Sequence, residues 1–264
     1  MSDLLSGRVL LTGATGGLGH AIARALAARG GQLVLTGRRA EILKPLADEI
    51  GGTAVESDLS VPGAVERLID AAGEIDVLVA NAALPASGPI ADYSIEQIDR
   101  ALDVNLRAPI VLAKLLSAGM VERGRGHLVF ISSLAGKAGQ GGSALYSATK
   151  FGLRGFATSL REDLRPEGVG VSSIFPGFIR DAGMFAESGA KLPPGVGTRT
   201  PDDVAAAVVR AIEQNRAETD VAPIPVRLGA TFSGLAPDLA ARIARRMGGD
   251  SVAAELVEGQ REKR

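Results

Sequence analysis

Cysteine is absent from this 264-residue chain. Its absence excludes disulfides, thiol catalysis and a Cys-ligated metal, and by itself says nothing about redox compartment. Histidine is scarce: His20 and His127 are the two present, too few for a His-rich metal site, so no metal is expected. Charge has no dominant sign, with 29 basic against 30 acidic residues. That balance argues against nucleic acid or another polyanion as partner. The N-terminus, MSDLLSGRV, lacks the basic start and apolar stretch of a signal peptide, and no consecutive apolar run reaches membrane-spanning length. The expectation is a soluble cytoplasmic protein without a transmembrane segment. Glycine is plentiful at 34 residues, yet shows neither a collagen-like period nor a flexible linker block.

What is present is a rhythm. RVLLT (8–12) precedes LGHAIARALAARG, QLVLT (32–36) precedes AEILKPLADEI, and TAVES (53–57) precedes VPGAVERLIDAA. DVLVA (76–80) leads to a helical region at roughly 94–119, HLVFIS (127–132) to the pattern YSATKFGLRGFATSLREDL (146–164), and VGVSSIF (169–175) follows. The runs are rich in Val, Leu and Ile and apolar on consecutive residues, as strands buried on both faces are. The alternation, with a glycine-rich turn after its first strand, predicts an α/β fold. It is a Rossmann-like, doubly wound parallel sheet with helices on both faces, rather than a TIM barrel. With 46% hydrophobic content and no interdomain linker, one domain over 1–264 is expected.

The pattern breaks after Pro176. GFIRDAGMFAESGAKLPPGVGTRT (177–200) is a long irregular insert, and such loops are usually functional or disordered. TPDDVAAAVVRAIEQN then starts a helix, with Thr200 as N-cap, Pro201 in the first turn and two early acids. DVAPIPVRL (220–228) reads as a final strand, which Pro223 and Pro225 restrict to an edge or irregular one. The tail, about 236–264, suggests two short helices. The first, LAARIARRMG, carries an apolar stripe and three arginines. It is read first as a helix covering the core or a subunit contact, with a membrane surface or lipid-like substrate as the alternative.

Between the first strand and its helix lies TGATGGLG (12–19). Glycines there let the backbone approach a pyrophosphate, and the helix start offers unpaired N–H groups and a positive dipole end. The plain alternative is a tight turn with no ligand. The spacing departs from G-x-G-x-x-G and resembles the TGxxxGxG signature of the short-chain dehydrogenase/reductase family. The resemblance continues almost unbroken to about residue 215 and thins beyond. It implies a single-domain enzyme that uses NAD or NADP to interconvert alcohols and carbonyls, with Gly13, Thr15, Gly16, Gly17, Leu18 and Gly19 around the pyrophosphate.

Tyr146 and Lys150 stand four apart in YSATK, on one face of a predicted helix. A phenol can protonate an alkoxide, and a nearby ammonium lowers its pKa towards the working range. An ordinary exposed helix pair is the alternative. Tyr146 is one of two tyrosines, however, and the small-residue stretch LAGKAGQGGSAL before it leaves room for a substrate. Ser132 and Ser133 end a strand, where a hydroxyl can donate to a substrate oxygen or simply terminate the strand. The family's active serine lies thirteen residues before its tyrosine, which selects Ser133 and leaves Ser132 to bond backbone. The motif match DVNLRAP adds Asn105, which in the family holds a proton-relay water. The resemblance thus implies a catalytic tetrad of Asn105, Ser133, Tyr146 and Lys150, with Tyr146 and Lys150 also touching the cofactor.

NAD-specific relatives place an acid after the second strand, where this chain has Gly37 followed by Arg38 and Arg39. Arginine forks onto a 2′-phosphate that an acid would repel, so NADP(H) is the expected cofactor and NAD(H) the alternative. A solvated basic pair is the bland reading. By resemblance Asp58 bonds the adenine amino group, with Leu59 beside it, while Asn81, Ala82, Pro176, Gly177 and Ile179 border the cofactor. There are three departures. NNAG appears as ANAA, so Ala83 adds a methyl group. Asp181 replaces a Thr or Ser and must accept from the carboxamide, cap the next helix or turn away. The last strand carries prolines in place of a glycine-rich end.

Segment 177–200 resembles the family's substrate lid. Phe178, Met184, Phe185 and Leu192, with Leu134, Leu84 and Pro85, suggest a medium-sized hydrophobic ketone, alcohol or acyl substrate or merely the anchoring of a loop. Relatives pair as dimers or tetramers, so a homodimer or homotetramer is expected; the small residues of helix 201–215 suit that pairing or packing within one subunit. The competing function is a non-catalytic NAD(P)-binding regulatory or scaffold protein, against which an acid/base phenol counts.

Overall fold

Val9 and Leu11 of the first strand, β1 (Arg8–Thr12), join one helical layer and Leu10 the other, all three fully buried. Burial on both faces is why the run is apolar on consecutive residues, and each such side chain contributes roughly 1.5–3 kcal/mol. The computed structural model describes residues 4–193, 196–246 and 249–261. Strands β2 (Gln32–Gly37), β3 (Thr53–Glu56), β4 (Val77–Ala80), β5 (Gly126–Ile131), β6 (Val169–Pro176) and β7 (Glu218–Val221) complete the sheet. It has seven strands in the order β3-β2-β1-β4-β5-β6-β7, parallel at every pairing. The order reverses between β1 and β4, which opens a crevice at their carboxyl ends.

The helices are α1 (Gly17–Ala27), α2 (Ala40–Ile50), α3 (Ala64–Ala72), α4 (Ile95–Leu102), α5 (Ala108–Glu122), α6 (Ala144–Leu164), α7 (Gly183–Ser188), α8 (Pro201–Glu213), α9 (Ile224–Leu235), α10 (Pro237–Arg246) and α11 (Gly249–Gln260). α1, α2 and α8 cover one face of the sheet, and α3, α5 and α6 the other. The capping residue expected for α8 is there: Thr200 Oγ1 accepts from Asp203 N and the Asp203 carboxylate accepts from Thr200 N, a reciprocal cap. Its small residues Ala205, Ala207 and Ala211 are buried within the subunit, where α8 packs on α1. Packing inside one chain is therefore the use they have here.

Two boundaries differ from the sequence reading. The last strand stops at Val221, and Pro223 and Pro225 start α9 instead of sitting in an edge strand. Proline suits a helix's first turn because the missing N–H has no partner there anyway. The region 94–119 is two helices joined by a π turn at 103–107, so one continuous helical stretch, Ile95–Glu122, is long and apolar enough to cross a membrane by composition. No consecutive apolar run has that length, because the apolar residues form a face. Leu112, Ala113, Leu116 and Met120 of that face are buried against the sheet.

Candidate active site

The carboxyl ends of the strands frame a cleft of about 580 Å³. On its β1 side the loop 13–19 leaves no room for a Cβ at Gly13, Gly17 or Gly19. Gly13 has φ +65° and its Cα faces Ala82, where a Cβ would stand 2.7 Å from the Ala82 Cα. A Cβ on Gly19 would run into the Gly13 carbonyl. α1 starts at N-cap Gly16 with no side-chain cap and no acid in its first turn. Its leading N–H groups are therefore free for an anion, and the residues present fit a dinucleotide pyrophosphate. Gly13, Thr15, Gly16, Gly17, Leu18 and Gly19 all line the cleft. Thr12 Oγ1 accepts from Asn81 N and Ala82 N at 3.0 Å each, and Asn81 Nδ2 donates to the carbonyls of Thr12 and Gly13. Asn81 thus stitches the end of β4 to the loop. Ala83 lines the cleft beside it.

At the β2 end stand Arg38, Arg39, Asp58 and Leu59. Arg39 donates to the Thr15 carbonyl at 2.6 Å and so braces the loop. Arg38 has only a loose contact with Asp58, 4.0 Å away, and half of its side chain is in solvent. Thr36 was missed by the sequence reading. It lines the cleft, is 1% exposed, and its Oγ1 has no hydrogen-bond partner. Its position one residue before Gly37, at a strand's carboxyl end, was the available signal.

The four residues of the expected tetrad come from three elements. Ser133 follows β5; its Oγ accepts from Ala135 N at 3.1 Å and donates to Pro176 O at 3.5 Å, and it shares the cleft with Tyr146 at the start of α6. Lys150, one turn on, is 2% exposed and donates to the Ile131 carbonyl at 3.0 Å. Ser132 Oγ donates to the Lys150 carbonyl, the backbone role expected of it. Asn105 lies in the π turn, where its amide both accepts from Leu84 N at 2.7 Å and donates to Leu84 O at 3.0 Å. The widened turn aims that side chain at the segment after β4. Ser133, Tyr146 and Lys150 line the cleft, and Asn105 sits behind Leu84, which does.

The electrostatics correct one expectation. Burial pushes the Tyr146 phenol up to about 12, and the nearby Ser133 hydroxyl opposes this only in part. Burial likewise brings Lys150 down to about 8. The amine lies 5.6 Å from the tyrosine ring centre and is committed to the Ile131 carbonyl. Desolvation therefore outweighs the charge attraction expected to acidify the phenol.

Pro176, Gly177 and Ile179 line the far side of the cleft. Asp181 turns away: it has φ +72°, its side chain is 67% exposed, and it pairs with Arg180 at 3.5 Å. Such a φ is strained for a non-glycine residue. Among the described residues of 177–200, the two ends are tied together and to the β1 loop. Arg180 N donates to Arg199 O, Arg199 N donates to Phe178 O, and Ala182 packs on Gly17. Leu84, Pro85, Met184 and Phe185 line the cleft as expected. Phe178 instead packs at a tilt against Phe185, with ring centres 5.1 Å apart, and is not among the lining residues, while Leu134 packs with Phe175 and Ala222. Leu192 is not among the lining residues.

The short chain dehydrogenase family profile matches residues 8–193. The chain belongs to this family. It is an oxidoreductase acting on CH–OH and C=O groups. It is 37% identical over 235 residues to ketoacyl reductase HetN of Nostoc sp. (strain PCC 7120), covering 86% of this chain and 82% of that one. A metagenomic short-chain oxidoreductase solved with NADP is 34% identical, with TM-score 0.67, over 83% of this chain and 96% of the other. The 3-ketoacyl-(acyl-carrier-protein) reductase of Brucella melitensis, solved with NADH, shares the fold at TM-score 0.74 and 24% identity, over 83% and 98%. A nicotinamide cofactor is common to the family, and its 2′ group varies.

Proposed function

We propose that this chain moves a hydride between NADP(H) and a hydrophobic carbonyl or alcohol, with Ser133, Tyr146 and Lys150 at the reacting end. The observation that carries the reading is the convergence of the Ser133 hydroxyl, the Tyr146 phenol and the buried Lys150 amine in one cleft. When bound, the cofactor supplies the hydride. The chain supplies position and protons. A substrate oxygen at the two hydroxyls accepts from both, and charge developing there is stabilised by donors already in place. Held near 12, Tyr146 is protonated at neutral pH and is the acid that carbonyl reduction needs. Lys150, held near 8, is a proton source matched to resupply it and holds the nicotinamide ribose, and Asn105 links that amine to solvent.

Gly13, Thr15, Gly16, Gly17, Leu18 and Gly19 take the pyrophosphate. Asp58 and Leu59 meet the adenine, while Asn81, Ala82, Pro176, Gly177 and Ile179 border the rest. Arg38, free to swing, grips a 2′-phosphate; Gly37 leaves no acid there to oppose it. Segment 177–200 acts as a lid, with Met184 and Phe185 facing Leu84 and Pro85. That apolar end, together with the ketoacyl reductase relative, supports a hydrophobic oxo substrate. A homodimer or homotetramer is the assembly expected, and exposed Phe151 of α6 and Leu115 of α5 offer it surface. Tyr146→Phe should lower turnover of a ketone panel by about 10²–10⁴-fold while NADPH binding, followed by fluorescence, stays the same. Turnover surviving in that variant would refute the assignment.

A further inference from the structure

Ile224, Leu228, Phe232 and Leu235 of α9, and Leu239 and Ile243 of α10, are all exposed, Leu235 by 81% and Ile224 and Leu228 by 65% each. The α9 spacing puts its four on one stripe, and the α10 pair is one turn apart. Exposed Arg242, Arg245 and Arg246 surround that pair, while Asp238 is the one acid of the helix. The expectation that the tail helix covers the core is thereby corrected. It is the other side of α9 that packs inward, with Val226 and Ala230 against Leu134, Phe175 and Ala222. A run of large apolar side chains left in water beside a basic cluster marks an interaction site.

The charge decides between occupants. Across a two-fold axis the patch would meet itself, setting three arginines against three with one aspartate per copy to offset them. A nucleic acid would leave the leucines uncovered. An anionic bilayer takes both sets, apolar side chains at the acyl boundary and guanidinium groups among the phosphates. We propose that α9 and α10 form a platform that docks this enzyme reversibly on anionic phospholipid membranes. Leu134, against which α9 packs, directly follows Ser133, and Gly177 of the cleft lies against Ala222 and Leu134. The inward side of α9 thus lies one layer behind the Gly177 wall of the cleft.

The test is flotation of the full chain with vesicles of phosphatidylcholine and phosphatidylglycerol in equal parts, against phosphatidylcholine alone. Binding is expected to the mixed vesicles only and to be lost in high salt. Leu228→Glu with Leu235→Glu should cut the bound fraction at least about tenfold. Replacement of Arg242, Arg245 and Arg246 by serine should cost about fivefold each. Circular dichroism and melting temperature check that both variants fold. The proposal is overturned if wild-type chain does not float with mixed vesicles at low salt, or if the glutamate variant floats equally well. It is also overturned if the glutamate variant only halves the mass in solution, which would make the face a subunit contact.

Discussion

Replacing Arg38 by alanine removes a guanidinium whose nearest anion is Asp58, 4.0 Å away, with half the arginine side chain in solvent. An exposed pair of that kind is worth about 0–1 kcal/mol, so folding should barely notice. A 2′-phosphate held by the same group gains more. Charge-assisted hydrogen bonds contribute roughly 1.5–3 kcal/mol, and half exposure favours the low end. The NADPH dissociation constant should therefore rise about 10–30-fold, at ~1.4 kcal/mol per tenfold. Asp58 adds to the effect. Burial alone would raise its carboxyl, but hydrogen bonds from Ser60 N and Oγ, with Arg38 and Arg100 nearby, hold it below the ordinary value. Without Arg38 that charge faces the phosphate unopposed. NADH, lacking the phosphate, should move less than about twofold. Fluorescence titration of both cofactors reads the difference. Equal weakening of NADH, or unchanged NADPH, would refute the assignment. Gly37→Asp is the informative companion. Its Cβ would stand 2.8 Å from Thr15 Cγ2 and 3.0 Å from Oγ1, so the acid enters only if Thr15 moves. By itself that variant should weaken both cofactors rather than switch preference.

Two further outcomes concern stability and the lid. His127 is buried, hydrogen-bonded to Ser172 at 2.8 Å, and lowered by burial, then by Arg161, to about 3. Between pH 6.5 and about 3 the unfolded chain binds a proton there that the folded chain refuses, so stability falls as pH falls. The loss by pH 3 is on the order of 4 kcal/mol, and His127→Gln should flatten the pH dependence of urea midpoints over that window; parallel curves would count against it. On α11, Gly259 lies against the Ser188 backbone, Glu255 accepts from Lys191 N, and Gln260 donates to Met184 O. Gly259→Val should lift α11 from the lid and raise substrate KM while kcat and NADPH affinity hold. An unchanged KM would show that α11 has no hold on the lid.

That Ser133, Tyr146 and Lys150 meet in one cleft was legible because short spacings carry it. Tyr146 and Lys150 are neighbours on any helix, and Ser133 was implied by the family resemblance, whose serine stands thirteen residues before its tyrosine. Thr36 was not, since a threonine ending a strand has no spacing that reports a spare hydroxyl. The lid residues divided for a similar reason. Met184 and Phe185 line the cleft, whereas Phe178 packs against Phe185 and does not. No pattern of apolar residues in an irregular segment reports which side each one takes.

Local sequence determined the alternation of strand and helix, because an element buried on both faces must be apolar at consecutive positions. It also determined the glycines at 13 and 19, where an added Cβ would collide with neighbouring backbone. Tertiary structure decided the pKa of Tyr146, the orientation of Asp181 and the exposure of the α9–α10 stripe. Those properties depend on how much water and charge surround a side chain, and the surrounding atoms come from segments far away in the chain.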